Sequence, residues 1–290
     1  MAASVFGRVR TLLEMIKFSH TVFAFPFALM GATVAALKNG TPPSVGQILW
    51  ICLAMVGARS AAMGLNRVID AKIDAENPRT AARHIPAGLV SRAEAWFFIA
   101  ASLVLLLVAA WMLNPLCFFL NPVAIGFLVL YSFCKRFTSL AHVVLGICLG
   151  AAPVGAWIAL RGDVSWQVVA LGCAVLFWVA GFDVFYALQD LEFDRAKGLH
   201  SIPVRLGVSR SLWLVRVFHV LMVLLLLALL IDTGLGWIYL CGVAVVAALL
   251  IYEHSLVKAD DLSRLDAAFF TMNGYISVAI FLFTLVDALV

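Results

Sequence analysis

Nine apolar runs, each near the length of a bilayer crossing, constrain this chain more than any other feature. They cover roughly residues 19–37, 47–65, 95–113, 115–132, 139–160, 165–187, 211–231, 234–252 and 267–287. A helix needs about 20 consecutive apolar residues to span the hydrocarbon. Composition agrees: 64% of the 290 residues are hydrophobic and 12% charged, against about 45–50% and 25% in a soluble domain. Those values exclude a disordered chain, a nucleic-acid binder and a disulfide scaffold. The expected class is an all-α, polytopic membrane protein with nine transmembrane helices, a single domain over 1–290. Residues 1–18 are amphipathic, carry Glu14 and read as an interfacial helix rather than a cleaved signal.

The basic residues orient the chain. Sixteen of the 20 Lys and Arg residues fall at the N-terminus or in alternate loops, whereas Lys38 and Arg161 fall on the other side. The expected topology has a cytoplasmic N-terminus, and the net charge of +4 reports this asymmetry rather than a nucleic-acid partner. The six cysteines form no CxxC or Cys/His cluster and read as packing residues.

The acids carry the chemistry. Seven of the 16 lie in two windows, both at ends of spans on the side expected to be cytoplasmic. The first window holds Asn66, Asp70, Asp74 and Glu76; the second holds Asp183, Asp190, Glu192 and Asp194, with Tyr186 between. On a continuous helix, offsets of 4 and 8 keep Asn66, Asp70 and Asp74 along one face. Offsets of 7 and 11 likewise keep Asp183, Asp190 and Asp194 within about 40°. Like charges at helical spacing repel, and each carries a desolvation cost near a membrane. A hard divalent cation compensates: Mg²⁺ takes one or two carboxylates plus substrate phosphate oxygens. Two Asp faces beside Lys and Arg therefore suggest a Mg²⁺–diphosphate cradle. The alternatives are solvated polar loop helices, or a cation or proton pathway; the latter fits poorly because the acids gather at one membrane face.

Each window is followed by similar text: Arg83-His84-Ile85-Pro86-Ala87-Gly88, and His200-Ser201-Ile202-Pro203-Val204-Arg205-Leu206-Gly207. This degenerate repeat suggests two helical halves whose acidic ends face across one cavity.

Asn66-x3-Asp70-x3-Asp74 together with Asp183-x2-Tyr186-x3-Asp190-x3-Asp194 resembles the paired Asp-rich motifs of the UbiA family of membrane prenyltransferases. Tyr131-Ser-Phe-Cys-Lys135-Arg136-Phe-Thr138 and Pro153-x-Gly-Ala-Trp157 extend the resemblance over nearly the whole chain. The resemblance implies a nine-helix bundle around a central cavity, with cytoplasmic cap loops at 66–93 and 188–210. It implies transfer of a polyprenyl chain from its diphosphate to an aromatic acid, in a bacterial inner membrane with the active site facing the cytoplasm. Carried over position by position, Asn66, Asp70, Asp74, Asp183, Asp190 and Asp194 would hold Mg²⁺. Lys135, Arg136, Lys197, Arg79 and Arg83 would touch the diphosphate, and Tyr186 would sit near the reactive carbon. Asp70, Asp190 and Tyr186 are the expected catalytic residues.

The acceptor implied is 4-hydroxybenzoate, in quinone biosynthesis. Lys17-Phe-Ser-His20-Thr-Val-Phe-Ala-Phe-Pro26 resembles instead a menaquinone sub-branch, where the acceptor would be a dihydroxynaphthoate. His20, Arg59 and His142 are candidates, by depth, for the acceptor's carboxylate. Arg67 departs from the pattern, because many members carry Asp there.

Overall fold

Punctuation in the sequence sets where the helices begin and end. The structure, a computed structural model, describes residues 5–17, 25–258, 261–262, 265 and 271–290. The helices are α1 Val5–Met15, α2 Phe25–Asn39, α3 Val45–Ile69, α4 Ala71–Glu76, α5 Arg92–Leu113, α6 Pro115–Cys134 and α7 Ala141–Arg161. There follow α8 Trp166–Ala187, α9 Leu191–Ala196, α10 Ile202–Leu206, α11 Val208–Ala228, α12 Trp237–Leu256 and α13 Asn273–Leu289.

Ser91 starts α5 with a reciprocal cap: its Oγ accepts from Glu94 N–H at 3.2 Å, and Glu94 Oε2 accepts from Ser91 N–H at 2.9 Å. Asn114 alone joins α5 to α6. Its N–H donates back to Ala110 O, and its Oδ1 accepts from Cys117 N–H at 2.9 Å while Pro115 occupies the first helical position. Gly162 ends α7 at φ 70°, a left-handed conformation that costs glycine little.

Among the described residues, seven helical stretches are long and apolar enough to cross a membrane: α3, α5, α6, α7, α8 with its extension to Ala196, α11 and α12. The first and ninth expected spans correspond to α2, with 15 residues, and α13, with 17, which are shorter. Residues 18–24 and 266–270, where those two spans were expected to begin, lie outside the described residues.

The described residues fall into two compact units. One is drawn from Met1–Thr21 and Leu49–Phe133, the other from Val22–Ile48 and Cys134–Val290. In the first unit α3 lies close against α5. A Cβ at Gly57 would come within 2.8 Å of Leu106 N and Ser102 O, and one at Gly64 within 2.7 Å of Ile99 Cγ1. Two glycines seven residues apart thus let two helices approach closely, the usual device where lipid removes a hydrophobic driving force. Arg67, which departs from the family pattern, is buried, and its Nε donates to Met15 O at 3.3 Å. A cation at the last carbonyls of α1 also suits that helix's dipole.

In the second unit the most enclosed element is α8. Its sequence is apolar all round, which is the pattern of a buried helix, and 14 of its 22 residues are buried. Gly150 and Gly172 bring α7 against α8 backbone to backbone, since a Cβ on Gly150 would fall on the Gly172 carbonyl. Trp178 stacks between Phe27 of α2, at a 4.9 Å centroid distance, and Phe182, at 5.0 Å. At the end of this unit away from the acids, Lys38 pairs with Asp232 at 3.0 Å, and Arg161 donates to Asp163 and to Asn39. Those are the two cations that the sequence assigned to the other side.

Candidate active site

Both Asp-rich windows interrupt their helix, and each does so at the middle residue of its motif, Asp70 or Asp190. In the first unit α3 ends at Ile69, Asp70 takes φ −88° and ψ 0°, and the six-residue α4 begins. In the second unit α8 ends at Ala187, a 3₁₀ turn covers Leu188–Asp190, Asp190 takes φ −103° and ψ 5°, and the six-residue α9 begins. The last aspartate of each motif, Asp74 or Asp194, lies four residues on, inside the short helix. In the first window the one-turn spacing survives the break, Asp70 N–H donating to Asn66 O at 3.0 Å and Asp74 N–H to Asp70 O at 2.8 Å, whereas in the second the expectation of a single uninterrupted helical face is corrected. A 3₁₀ turn advances about 120° per residue rather than 100°, so three residues rotate the second window by about a further 60°.

The first window is tightly bonded. Asn66 Nδ2 donates to Asp70 Oδ2 at 3.0 Å, across one helical turn, and Asp70 is 2% exposed. Arg83 Nη1 reaches both oxygens of Asp74, at 2.7 and 2.8 Å. That pair is enclosed, with side-chain exposures of 23% for Arg83 and 4% for Asp74. The loop folds back because Thr80 Oγ1 donates to Asp74 O at 3.0 Å and Asn77 Oδ1 accepts from Arg79 N–H at 2.9 Å. Leu89 and Val90 N–H close it on His84 O, and Gly88 supplies the φ of 72° that the turn requires. The sequence placed Asp74 on metal and Arg83 on diphosphate; the structure joins the two directly. Arg79 is exposed.

The second window is more open: Asp183, Tyr186, Asp190 and Asp194 are half-buried and Lys197 is exposed. Asp183, on the last turns of α8, accepts from His142 Nδ1 at 2.7 Å. His142, on α7, is buried, and its Nε2 accepts from Ile202 N–H at 3.4 Å. The tautomer follows from these partners: Nδ1 carries the proton and Nε2 does not. Both ring nitrogens of His142, a candidate for the acceptor's carboxylate by depth, are therefore engaged within the protein, one of them on Asp183. Of the other two acceptor candidates, Arg59 is half-buried on α3, and His20 lies outside the described residues.

The Lys135-Arg136 segment is tied to the same end of this unit. His200 N–H donates to Lys135 O at 2.7 Å, and both basic side chains are half-buried. Ser201 Oγ accepts from Val204 N–H at 3.2 Å and starts α10, whereas the matching Ile85-Pro86 segment forms turns. The sequence repeat is thus kept at the aspartate junctions and lost in the loops that follow.

Each window taken by itself offers hard oxygen donors, Asn66, Asp70 and Asp74 in one and Asp183, Asp190 and Asp194 in the other, with Lys and Arg near each in sequence. Among the described residues no group of three His, Cys, Asp or Glu side chains is gathered closely enough to cage a metal alone. This donor set fits Mg²⁺, which retains waters and phosphate oxygens and takes only one or two carboxylates at a time.

The UbiA prenyltransferase family profile matches residues 24–275. A 4-hydroxybenzoate octaprenyltransferase of Citrobacter koseri is 30% identical over 260 residues, covering 88% of each chain. One from Hydrogenovibrio crunogenus is 29% identical over 253 residues, covering 87% of each. Among solved structures, a UbiA homologue from Aeropyrum pernix superposes with a TM-score of 0.83 at 34% identity, covering 93% of this chain and 98% of that one. A UbiA homologue from Archaeoglobus fulgidus, bound to DMAPP and Mg²⁺, has the same fold at a TM-score of 0.72 and 20% identity, covering 97% of this chain and 99% of that one.

Proposed function

The chain belongs to the UbiA prenyltransferase family, and from that premise we propose that it transfers a polyprenyl chain from polyprenyl diphosphate to the ring of 4-hydroxybenzoate. It is a multi-pass membrane prenyltransferase. The reading of the acceptor is carried by the matched relatives, which act on 4-hydroxybenzoate and align along most of their own length. The excess of Lys and Arg at alternate loops supports a cytoplasmic active site in a bacterial inner membrane.

Asn66, Asp70, Asp74, Asp183, Asp190 and Asp194 are the residues proposed to hold Mg²⁺. When bound, Mg²⁺ supplies positive charge against the charge that grows on a departing diphosphate. Lys135, Arg136, Lys197 and Arg79 add hydrogen-bonded positive charge to the same leaving group. Arg83 acts through its grip on Asp74 and reaches the diphosphate by way of its remaining N–H groups. The allylic carbon left behind is electron-poor; the phenol ring of Tyr186 offers it a cation–π face. The apolar spans keep water from it, so the carbon ortho to the acceptor's phenol attacks in its place. That ring carbon then loses its proton and aromaticity returns. Arg59 is the candidate for the acceptor's carboxylate among the described residues. His142 keeps Asp183 aligned, as outer partners of ligating groups commonly do.

The test is turnover by purified protein with geranyl diphosphate, comparing 4-hydroxybenzoate with a dihydroxynaphthoate. Product with 4-hydroxybenzoate supports this reading. Product with the naphthoate alone would move the chain to the menaquinone branch.

A further inference from the structure

On the face of α8 turned away from Asp183, the second unit holds a basic cavity that prenyl transfer does not use. Phe185, two residues and about 200° beyond Asp183, points there, its ring 5.4 Å from that of His254. The cavity, about 390 Å³, is lined by Ser209, Leu212 and Arg216 of α11, His254 of α12, and Val257 and Lys258 just beyond it. Ser209, Leu212 and Arg216 share one face of α11 at offsets of 3 and 7, and the chain turns extended at Val257, carrying Lys258 past the end of α12 beside His254. His254 is steadied by a 3.1 Å contact between its Nε2 and His219 Nδ1. Among the described residues no acid lines the cavity, although the backbone of Asp261 pairs with that of Lys258 at its edge. Glu253 lies nearby but is wholly buried, and its oxygens accept no hydrogen bond among the described residues.

The position of Arg216 is what calls for a ligand. It is exposed, and it stands eight residues into α11, about 12 Å along an apolar helix. Its neighbours three back and four on, Trp213 and Val220, are 63% and 57% exposed, and Leu224 continues the stripe at 55%. A guanidinium on a lipid-facing stripe is costly unless its head reaches polar headgroups or an anion. A second cation, Lys258, and the Ser209 hydroxyl converge on the same cavity. A fork of N–H donors, an ammonium and a hydroxyl around one space match the oxygens of a phosphate.

We propose that this cavity binds the phosphate of an anionic phospholipid, with the acyl chains lying along Trp213, Val220 and Leu224. Soluble phosphate shares the headgroup chemistry but has no use for the apolar stripe, so the two sources can be told apart. The experiment is native mass spectrometry of the full-length protein in detergent, titrated with dioleoylphosphatidylglycerol or dioleoylphosphatidylcholine. It is repeated in the presence of millimolar inorganic phosphate and for Arg216→Gln and Lys258→Gln. Both side chains are exposed, so the variants should fold and keep their prenyl-transfer rate. The expected result is preferential retention of phosphatidylglycerol, weakened about fivefold by each lost charge and unaffected by phosphate. Equal retention of the two lipids, or variants that hold phosphatidylglycerol as the parent does, would overturn the proposal. Displacement by phosphate would overturn it too, by making the site one for a soluble anion.

Discussion

Replacing His142 by Ala tests how the second Asp-rich window is held. The substitution removes the donor to Asp183 Oδ2 and the acceptor for Ile202 N–H at once. A buried polar group left without its partner costs about 1–3 kcal/mol. The Asp183 side chain is 15% exposed, so water can reach it in part and its share falls at the low end. Stability should therefore drop by about 2–4 kcal/mol for the two groups together. If Asp183 helps hold Mg²⁺, loosening it should also raise the Mg²⁺ concentration for half-maximal turnover by about 10- to 100-fold. His142→Gln separates the two effects, because one amide offers both a donor for Asp183 and an acceptor for Ile202. It should recover most of the stability and the Mg²⁺ dependence. The assay is thermal inactivation followed in detergent, paired with initial rates across a Mg²⁺ titration. An Ala variant with the parent's Mg²⁺ dependence would refute the link from His142 through Asp183 to the metal.

The Arg83–Asp74 pair gives a second expectation: Arg83→Gln strands a carboxylate whose side chain is 4% exposed, at a cost of about 3 kcal/mol. The double variant Arg83→Gln/Asp74→Asn should recover much of that in the same melting assay, since the loss comes from stranding one charge. Gly57→Ala should destabilise by about 1–3 kcal/mol, because the new Cβ meets backbone atoms of α5 that cannot rotate away. Gly126→Ala, facing open space on α6, should melt no lower than the parent. Asp70→Asn and Asp190→Asn should each abolish turnover while the protein still elutes as a folded species. Near-parental rates at saturating Mg²⁺ would remove both residues from the metal site.

Much of the fold is legible in the sequence because lipid demands long apolar runs and turns demand particular residues. Ser91 with Glu94, Asn114-Pro115 and Gly162 mark helix boundaries by local chemistry alone, and the continuous apolarity of α8 marks it as enclosed. The breaks at Asp70 and Asp190 are not legible, since a helical-wheel argument assumes that the helix continues. A signal for them existed: each stands four residues before the last aspartate of its motif, which lies in the first turn of the short helix, where an acid favours a new helix start. The partner of His142 was hidden for a different reason. Asp183 lies 41 residues away, and depth along a span says nothing about which neighbour a side chain meets. Arg67 looked like the loss of an acid from the motif, yet it is an anchor for the end of α1, a contact 52 residues long in sequence.

The central claim is Mg²⁺-dependent prenyl transfer to an aromatic acid. Its most direct test is mass-spectrometric detection of geranylated 4-hydroxybenzoate, with diphosphate measured in parallel, from purified protein supplied with geranyl diphosphate and Mg²⁺. Equimolar product and diphosphate, both abolished by EDTA and restored by added Mg²⁺, is the predicted result. Folded protein that forms no prenylated ring, or that forms it undiminished in EDTA, would contradict the account.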